Sequence, residues 1–170
     1  SSDLTALSFP SAKQGWAVGH EGVVLHTSDG GATWVRQAIA AGEGDRAFLD
    51  VWFEDEKKGW AIGAFGLLLR TQDGGAHWSA FDQVDNPRSL HLYAIRPAGG
   101  AVFIVGEQGL VLRLDRDGRR FAAVGLPYQG TLFGVVGTPG MVLPYGLRGN
   151  AWRSTDAGAS WTQVDTGIGA

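Results

Sequence analysis

A unit of 40 to 44 residues occurs four times along this 170-residue chain, and the repeat limits the possible folds more than any other feature. Gly15–Trp34 and Gly59–Trp78 align position for position without a gap. A third, more divergent copy ends at Phe121, and a fourth copy ends at Trp161. A repeat of this length is typical of β-propeller blades, each of which is one four-stranded sheet.

Within each unit, short apolar segments are separated by clusters of Gly, Asp and Asn of the kind that form hairpin turns. No segment shows a sustained helical period. We therefore predict an all-β β-propeller fold with four blades of four antiparallel strands each, covering about residues 3–44, 45–88, 89–128 and 129–170. The opening strands are expected at residues 4–9, 48–53, 92–95 and 132–136.

Three of the units contain the box Ser/Thr-x-Asp-x-Gly-x-x-Trp, which indicates a structural turn. An Asp side chain accepts hydrogen bonds from backbone N–H groups further along its own turn, and the Gly two residues later tolerates a positive φ. The Trp then covers the hairpin and buries a large apolar surface. The residues assigned to this role are Asp29, Gly31, Trp34, Asp73, Gly75, Trp78, Asp156, Gly158 and Trp161.

The alternative interpretation makes Asp29, Asp73 and Asp156 catalytic acids or calcium ligands. Copies on separate blades are expected to lie far apart, whereas glycoside hydrolysis needs two carboxylates within roughly 5–10 Å. The Asp spacing of a calcium loop is missing, and the histidines show no metal-binding spacing. The sequence therefore predicts no catalytic residue, no metal site and no cofactor.

The charge balance excludes one class of partner. The chain has 14 Lys and Arg against 17 Asp and Glu, a net charge of −3, and thus gives no electrostatic case for binding nucleic acid. No apolar run approaches the roughly 20 residues of a membrane-spanning helix, so the chain is not expected to span a membrane. Because there is no Cys, disulfides and thiolate metal sites are excluded.

Two repeat positions carry further structural expectations. His26, Arg70, Arg113 and Arg153 align with one another, and local pairing on an outer strand is favoured over an anion-binding clamp. Pro144 lies inside a predicted second strand. Because proline has no N–H for the ladder, a bulge or an open edge is expected there.

The unit Gly-Trp-Ala-Val-Gly-x-x-Gly, followed by Thr-x-Asp-Gly-Gly-x-x-Trp, resembles the BNR/Asp-box repeat superfamily. Its short spacing is most similar to the photosystem II stability/assembly factor family and its relatives in non-photosynthetic bacteria. The resemblance implies a seven-bladed, non-catalytic propeller that is exported to the periplasm or another extracytoplasmic space. It also implies a scaffold whose partner is a membrane protein or complex. Because sialidases and other glycosidases share the box, a glycoside hydrolase fragment and a carbohydrate- or small-molecule-binding module stay open as alternatives.

The turns of a propeller alternate between two surfaces. The Asp-box turns, between the third and fourth strands, are nearly identical, as a scaffold requires. The turns between the second and third strands differ in every blade, as do the connections between blades, and variable loops on a rigid scaffold tend to carry function. We therefore expect a binding surface of mixed charge with two exposed aromatics, Phe65 and Tyr128. Its candidate residues are His20, Glu21, Arg46, Phe65, Arg88, Glu107, Gln108, Tyr128 and Arg148.

Residues 166–170 resemble residues 38–44, the segment that follows the first blade. This similarity favours a segment of a larger ring of about six to eight blades. A pair of chains that self-associates to close one ring ranks second, and a closed four-bladed ring ranks third. The first two arrangements would cover the apolar faces that open terminal blades expose.

Overall fold

The computed structural model of the chain describes residues 2–40 and 45–168. The chain divides into two compact units, Ser1–Asp82 and Gln83–Ala170. Each unit contains two four-stranded antiparallel sheets whose strands are neighbours in chain order. These sheets confirm the all-β class and the four blades of four strands. Parts of the two segments compared above, residues 41–44 and 169–170, lie outside the described residues.

In the first unit, successive hairpins build blades 1 and 2. Blade 1 contains β1 (Leu4–Ser8), β2 (Gly15–Gly19), β3 (Val24–Thr27) and β4 (Val35–Arg36). Blade 2 contains β5 (Phe48–Phe53), β6 (Gly59–Gly63), β7 (Leu68–Thr71) and β8 (Ser79–Ala80). In each blade the second strand is completely buried, whereas the short fourth strand is exposed.

In the second unit, the same pattern builds blades 3 and 4. Blade 3 contains β9 (Leu92–Ala98), β10 (Ala101–Gly106), β11 (Val111–Leu114) and β12 (Phe121–Ala123). Blade 4 contains β13 (Leu132–Thr138), β14 (Met141–Gly146), β15 (Ala151–Arg153) and β16 (Thr162–Val164). The opening strands β9 and β13 extend beyond their expected ends because their hairpins stay paired up to the turn. Val84 also forms a parallel bridge with Phe121, so the segment before β9 lies along the outer strand of blade 3.

The core of the first unit is built around Trp16 of β2. Its indole ring stacks on the ring of Phe53 in β5, with centroids 3.7 Å apart. Phe48 and Val51 of the same strand are buried in the same cluster as Val18 of β2. Burying an apolar side chain of this size stabilises the fold by about 1.5–3 kcal/mol. The opening strand of blade 2 is therefore held against blade 1.

The core of the second unit uses the same repeat positions with different side chains. Phe103 and Val105 of β10 cluster with Leu132 and Val135 of β13, and all four are almost completely buried. Phe103 aligns with Trp16 in the repeat. The repeat therefore specifies an equivalent sheet-to-sheet contact in each unit.

Pro144 lies within β14, and its effect differs from the predicted bulge. Val142 and Ser154 exchange two backbone hydrogen bonds of 2.9 Å, and Tyr145 pairs with Ala151 in the same register. No bulge therefore forms between these pairs. The ladder between β14 and β15 is instead interrupted at Pro144, because proline has no N–H to donate to β15.

Candidate protein-binding surface

Each Asp-box turn is closed by side chains of its own loop. In blade 1, the Thr27 hydroxyl donates to Asp29 Oδ1 at 2.8 Å and accepts a hydrogen bond from the Gly31 N–H at 2.9 Å. The carboxylate of Asp29 also accepts hydrogen bonds from the N–H and the hydroxyl of Thr33. Gly31 has a φ of +94°, a conformation that a residue with a Cβ rarely adopts. The carboxylate thus organises the turn.

The boxes around Asp73 and Asp156 repeat these hydrogen bonds, except that the imidazole of His77 takes the place of the Thr33 hydroxyl in the Asp73 box. In all three boxes the pKa of the carboxyl is lowered from 3.8 to about 2, chiefly by hydrogen bonds from the residue four positions later. A carboxyl group with such a low pKa is ionised at neutral pH. It is therefore unsuited to act as a general acid, a role that requires a raised pKa.

In the first unit, the turns between the second and third strands meet the connection between blades 1 and 2. The Gly22 N–H donates to the Arg46 carbonyl and the Ala64 N–H donates to the Ala47 carbonyl, both at 2.9 Å. The two turns are therefore neighbours. We call the exposed residues that they and the connection present the turn surface of unit 1: His20, Glu21, Arg46 and Phe65.

In the second unit, Tyr128 joins the corresponding elements. Its hydroxyl donates to the Leu147 carbonyl at 3.2 Å, and the Leu147 N–H donates to the Thr131 carbonyl at 3.1 Å. A Cβ at Gly109 would lie 1.9 Å from the Tyr128 carbonyl oxygen, so only Gly fits below this backbone. The turn surface of unit 2 consists of Glu107, Gln108, Tyr128 and Arg148.

One residue in each of these turns has a left-handed backbone although it is not Gly. These apex residues are exposed and have φ values of 55° to 57°; they are Glu21, Phe65, Gln108 and Arg148. This region of φ disfavours a side chain by about 1–2 kcal/mol. In every blade the next residue is a Gly with a positive φ. Four different side chains are thus displayed from the same strained turn.

Two candidate residues are less accessible than expected. Tyr128 is half-buried and packs against the core of the second unit, so the expectation of an exposed aromatic is wrong for Tyr128. Phe65, in contrast, is 65% exposed. Glu107 is also half-buried, and its Oε2 accepts a hydrogen bond from the His91 N–H at 2.8 Å. Both residues help to hold the turn surface of unit 2 together.

The remaining candidates lie on exposed loops. His20 Nδ1 lies 3.8 Å from Asp3 Oδ2. Arg88 lies in a loop of the second unit that Asn86 closes through two 3.0 Å hydrogen bonds with the backbone of Leu90. Arg88 therefore belongs to a separate small loop next to β9.

The aligned cationic position lies on the third strands and serves mainly local contacts. His26 Nε2 is 2.7 Å from Gln14 Oε1 in its own blade, and burial lowers the pKa of His26. The guanidinium of Arg70 lies 5.0 Å from the ring centroid of Phe81, also within its own blade. Arg113 departs from the local pattern, since its guanidinium donates to the Ala157 carbonyl in the Asp-box of blade 4 at 2.8 Å. These contacts account for His26, Arg70 and Arg113 without a bound anion.

The left-handed apex is the feature that the sequence analysis did not identify. The apex residues share no residue type, so propensity gives no indication of their conformation. The available signal is the Gly that follows each of them, at 22, 66, 109 and 149. A repeated Gly beside variable residues indicates a fixed backbone turn with free choice of the displayed side chain.

Within residues 2–40 and 45–168, no group of three or more His, Asp or Glu is arranged to hold a metal ion. No helix among the described residues has the length and apolar character that crossing a membrane would require.

The repeated four-stranded sheets and their Asp-box turns define an Asp-box β-propeller protein. More specifically, the chain belongs to the family of the photosynthesis system II assembly factor YCF48, whose family model matches residues 43–170. The resemblance drawn from the repeat is thereby confirmed. A comparison with curated proteins finds no match.

Solved structures show the same fold. The structure of YCF48 bound to D1 peptide has a TM-score of 0.79 and 22% identity, over 98% of this chain and 56% of that chain. YCF48 from Cyanidioschyzon merolae has a TM-score of 0.73 and 22% identity, over 95% of this chain and 56% of that chain. An ancestral GH74 enzyme has a TM-score of 0.76 and 12% identity, over 95% of this chain and 24% of that chain. The chain thus spans little more than half the length of the YCF48 structures.

Proposed function

We propose that the chain is a non-catalytic, protein-binding scaffold of the assembly-factor type, and that each unit binds a segment of a membrane protein through its own turn surface. The observation that carries this proposal is the left-handed apex residue in all four turns. Gly would occupy each apex without strain, yet each apex holds a different larger side chain. Backbone strain of this kind clusters at binding sites, where the side chain that the strained residue displays contributes to binding.

The side chains on the turn surfaces suit a peptide ligand. Unit 1 presents the carboxylate of Glu21 and the exposed ring of Phe65. Unit 2 presents the amide of Gln108 and the guanidinium of Arg148. Aromatic and Arg side chains are the usual energetic anchors of protein interfaces, and amide and carboxylate groups pair with a peptide backbone.

A relative supports the class of partner. One solved YCF48 structure contains a bound D1 peptide. By analogy, the partner of this chain is a segment of a membrane protein, and the proposed location is extracytoplasmic, in the periplasm if the source is bacterial. Recovery of the native protein in the cytoplasmic fraction would contradict the proposed location alone.

The chemistry of the carboxylates disfavours the glycoside hydrolase alternative. The three Asp-box carboxylates are engaged within their own turns and have pKa values of about 2. Glu21 accepts a hydrogen bond from the Ser2 hydroxyl at 2.6 Å, and Glu107 holds the His91 N–H. The likeness to a GH74 enzyme, at 12% identity, concerns the fold alone.

Peptide binding tests the proposal directly. Labelled overlapping peptides that cover D1 are titrated with the protein, and fluorescence anisotropy gives the affinities. We expect at least one peptide to bind, and alanine at all four apex residues to weaken binding at least about tenfold. A matched control replaces exposed residues next to the Asp-boxes: Ser28, Gln72 and Thr155.

Two results would contradict the proposal. One is peptide binding that survives alanine at the apex residues and is lost in the Asp-box control, with both variants folded. The other is hydrolysis of chromogenic glycosides above background that Glu21→Gln or Glu107→Gln abolishes. Saturable binding of a sugar without turnover, in the absence of peptide binding, would instead favour a carbohydrate-binding module.

A further inference from the structure

Four equivalent hydrogen bonds anchor the turns that carry the apex residues. In each blade the first residue of the turn donates its N–H to the carbonyl of the residue before the opening strand, at 2.9 to 3.1 Å. The donor and acceptor residues are His20 with Asp3, Ala64 with Ala47, Glu107 with His91, and Leu147 with Thr131. Because these backbone bonds are alike, differences between the turns arise from the side chains of the two residues that each bond joins.

In blade 3 the two residues are also joined through their side chains. Glu107 Oε2 accepts a hydrogen bond from the His91 N–H at 2.8 Å, and Glu107 Oε1 lies 3.9 Å from His91 Nε2. Both side chains are largely shielded from water, with exposed fractions of 31% for Glu107 and 27% for His91. The carboxylate therefore contacts both the backbone and the ring of His91.

Blade 1 has the same pair with the two residue types exchanged. The imidazole is on the turn, in His20, and the carboxylate is on the preceding segment, in Asp3, with His20 Nδ1 3.8 Å from Asp3 Oδ2. These side chains are 47% and 82% exposed, so water screens their attraction more strongly. The aligned positions of blades 2 and 4 hold Ala, Thr and Leu, which carry no charge. A pair that occurs in either orientation indicates that the pairing itself matters at this position.

The charge of the blade 3 pair depends on pH. Imidazole changes its charge between about pH 5 and 8, whereas an ordinary carboxylate is ionised throughout that range. Tyr93 of β9 also faces the His91 ring, with centroids 6.3 Å apart. Burial, and next the charge of Glu107, raise the pKa of Tyr93, so its phenol stays neutral in that range. Protonation of His91 therefore converts the contact with Glu107 into an ion pair.

We propose that Glu107 and His91 form a pH-dependent latch on the turn surface of unit 2. Below about pH 6 the carboxylate and the imidazolium attract each other and hold the turn, with Gln108 at its apex, against the segment before β9. As the pH rises through the titration of the imidazole, this attraction is lost and the hydrogen bonds to the His91 backbone remain. The effect of the latch on ligand binding rests on the proposed function, whereas the latch itself does not.

Amide hydrogen exchange of the 170-residue chain measures the latch without a ligand. Solvent exchange of the Glu107 N–H is followed by NMR at about pH 5.5 and about pH 8, and each rate is corrected for the intrinsic rate at that pH. We expect about two- to fivefold more protection at the lower pH, as for a partly exposed ion pair. The N–H groups of Ala64 and Leu147 are internal controls, because they form the equivalent backbone bonds without a titratable side chain.

Two variants separate the charge from the geometry of the turn. His91→Gln has no titratable ring and is expected to remove the pH dependence. The double variant His91→Asp, Glu107→His reproduces the orientation of blade 1 and is expected to restore it. The latch would be overturned by protection that does not change with pH, that changes equally at the two control amides or that keeps its pH dependence in His91→Gln. Failure of the double variant, in folded protein, to restore the pH dependence would overturn it as well.

Peptide binding tests the regulatory role separately. A peptide whose binding is weakened by Gln108→Ala should bind about two- to fivefold more tightly at about pH 5.5 than at about pH 8. His91→Gln should abolish this difference. A peptide affinity that does not change with pH, in a protein whose exchange shows the latch, would overturn the regulatory role. If exchange shows the latch but no peptide binds, the latch is supported and the proposed function is contradicted.

Discussion

Gln37 Oε1 accepts a hydrogen bond from Trp78 Nε1 at 3.2 Å, which joins the end of blade 1 to the Asp-box of blade 2. Gln37 Nε2 donates to the Gly74 carbonyl at 2.9 Å, and Trp16 Nε1 donates to the same carbonyl at 3.2 Å. The Gln37 amide thus bonds to the Gly74 carbonyl of the Asp-box and also orients the Trp78 ring that closes the box. The contact between the two blades therefore has specific hydrogen bonds as well as apolar packing.

Removal of the Gln37 amide is expected to destabilise the first unit. In Gln37→Leu the indole N–H of Trp78 loses its acceptor, while the Gly74 carbonyl keeps the bond from Trp16. Because a buried donor is left unsatisfied, the free energy of unfolding should fall by about 1–3 kcal/mol in urea titrations. The control Gln72→Leu changes an exposed Gln of the same unit and should alter it by less than about 0.5 kcal/mol. Equal effects of the two changes would contradict this role.

The second unit lacks the equivalent hydrogen bond and offers the reverse experiment. Trp161 Nε1 is buried without a hydrogen-bond partner, and Val124 occupies the repeat position of Gln37. Val124→Gln is expected to supply the missing acceptor and to raise the free energy of unfolding by about 0.5–1.5 kcal/mol. Val124→Leu keeps the position apolar and serves as the control. A Gln variant that is less stable than the Leu variant would show that the indole is not within reach.

Substitution of the apex residues by glycine is expected to weaken peptide binding without lowering the stability of the fold. Glu21→Gly, Phe65→Gly, Gln108→Gly and Arg148→Gly each remove a side chain from a left-handed backbone. We expect the free energy of unfolding to stay the same or to rise by up to about 1 kcal/mol, while peptide affinity falls. Ser28→Gly is the control, because Ser28 is exposed and does not have a positive φ. If the apex variants lost as much stability as Ser28→Gly, the apex backbone would be unstrained. The left-handed apex would then no longer support a binding role for its side chains.

The low pKa of the Asp-box carboxylates leads us to expect a loss of stability in acid. Their pKa in the folded chain is about 2, below the ordinary 3.8, so the unfolded chain binds protons more readily. The stabilisation is therefore fully present above about pH 4 and is lost as the pH falls towards 2. Urea titrations at a series of pH values measure this decline. Asp156→Asn, which does not titrate, should decline less steeply, and an unchanged slope would contradict the assignment.

The local features of the fold could be predicted from the sequence. Strand β5 occupies the expected residues, Phe48–Phe53, and the strands of all four blades follow the predicted order. The Asp-box was predictable because its hydrogen bonds join Thr27, Asp29 and Thr33, which are at most six residues apart. Interactions of such short range depend on the residue types and their spacing, and hardly on the packing of the sheets.

The sequence therefore determined the class of fold, the number of blades in this chain and the turns that close them. Only the tertiary structure decided that Tyr128 is half-buried, that Gln37 bonds to Trp78 and that Leu7 and Phe133 are exposed. The physical reason is distance along the chain. These properties depend on residues tens of positions away, and only the packing of one sheet against another decides whether such residues come into contact. The left-handed apex lies between these cases, since its backbone was encoded by the following Gly and its exposure was set by the surrounding turns.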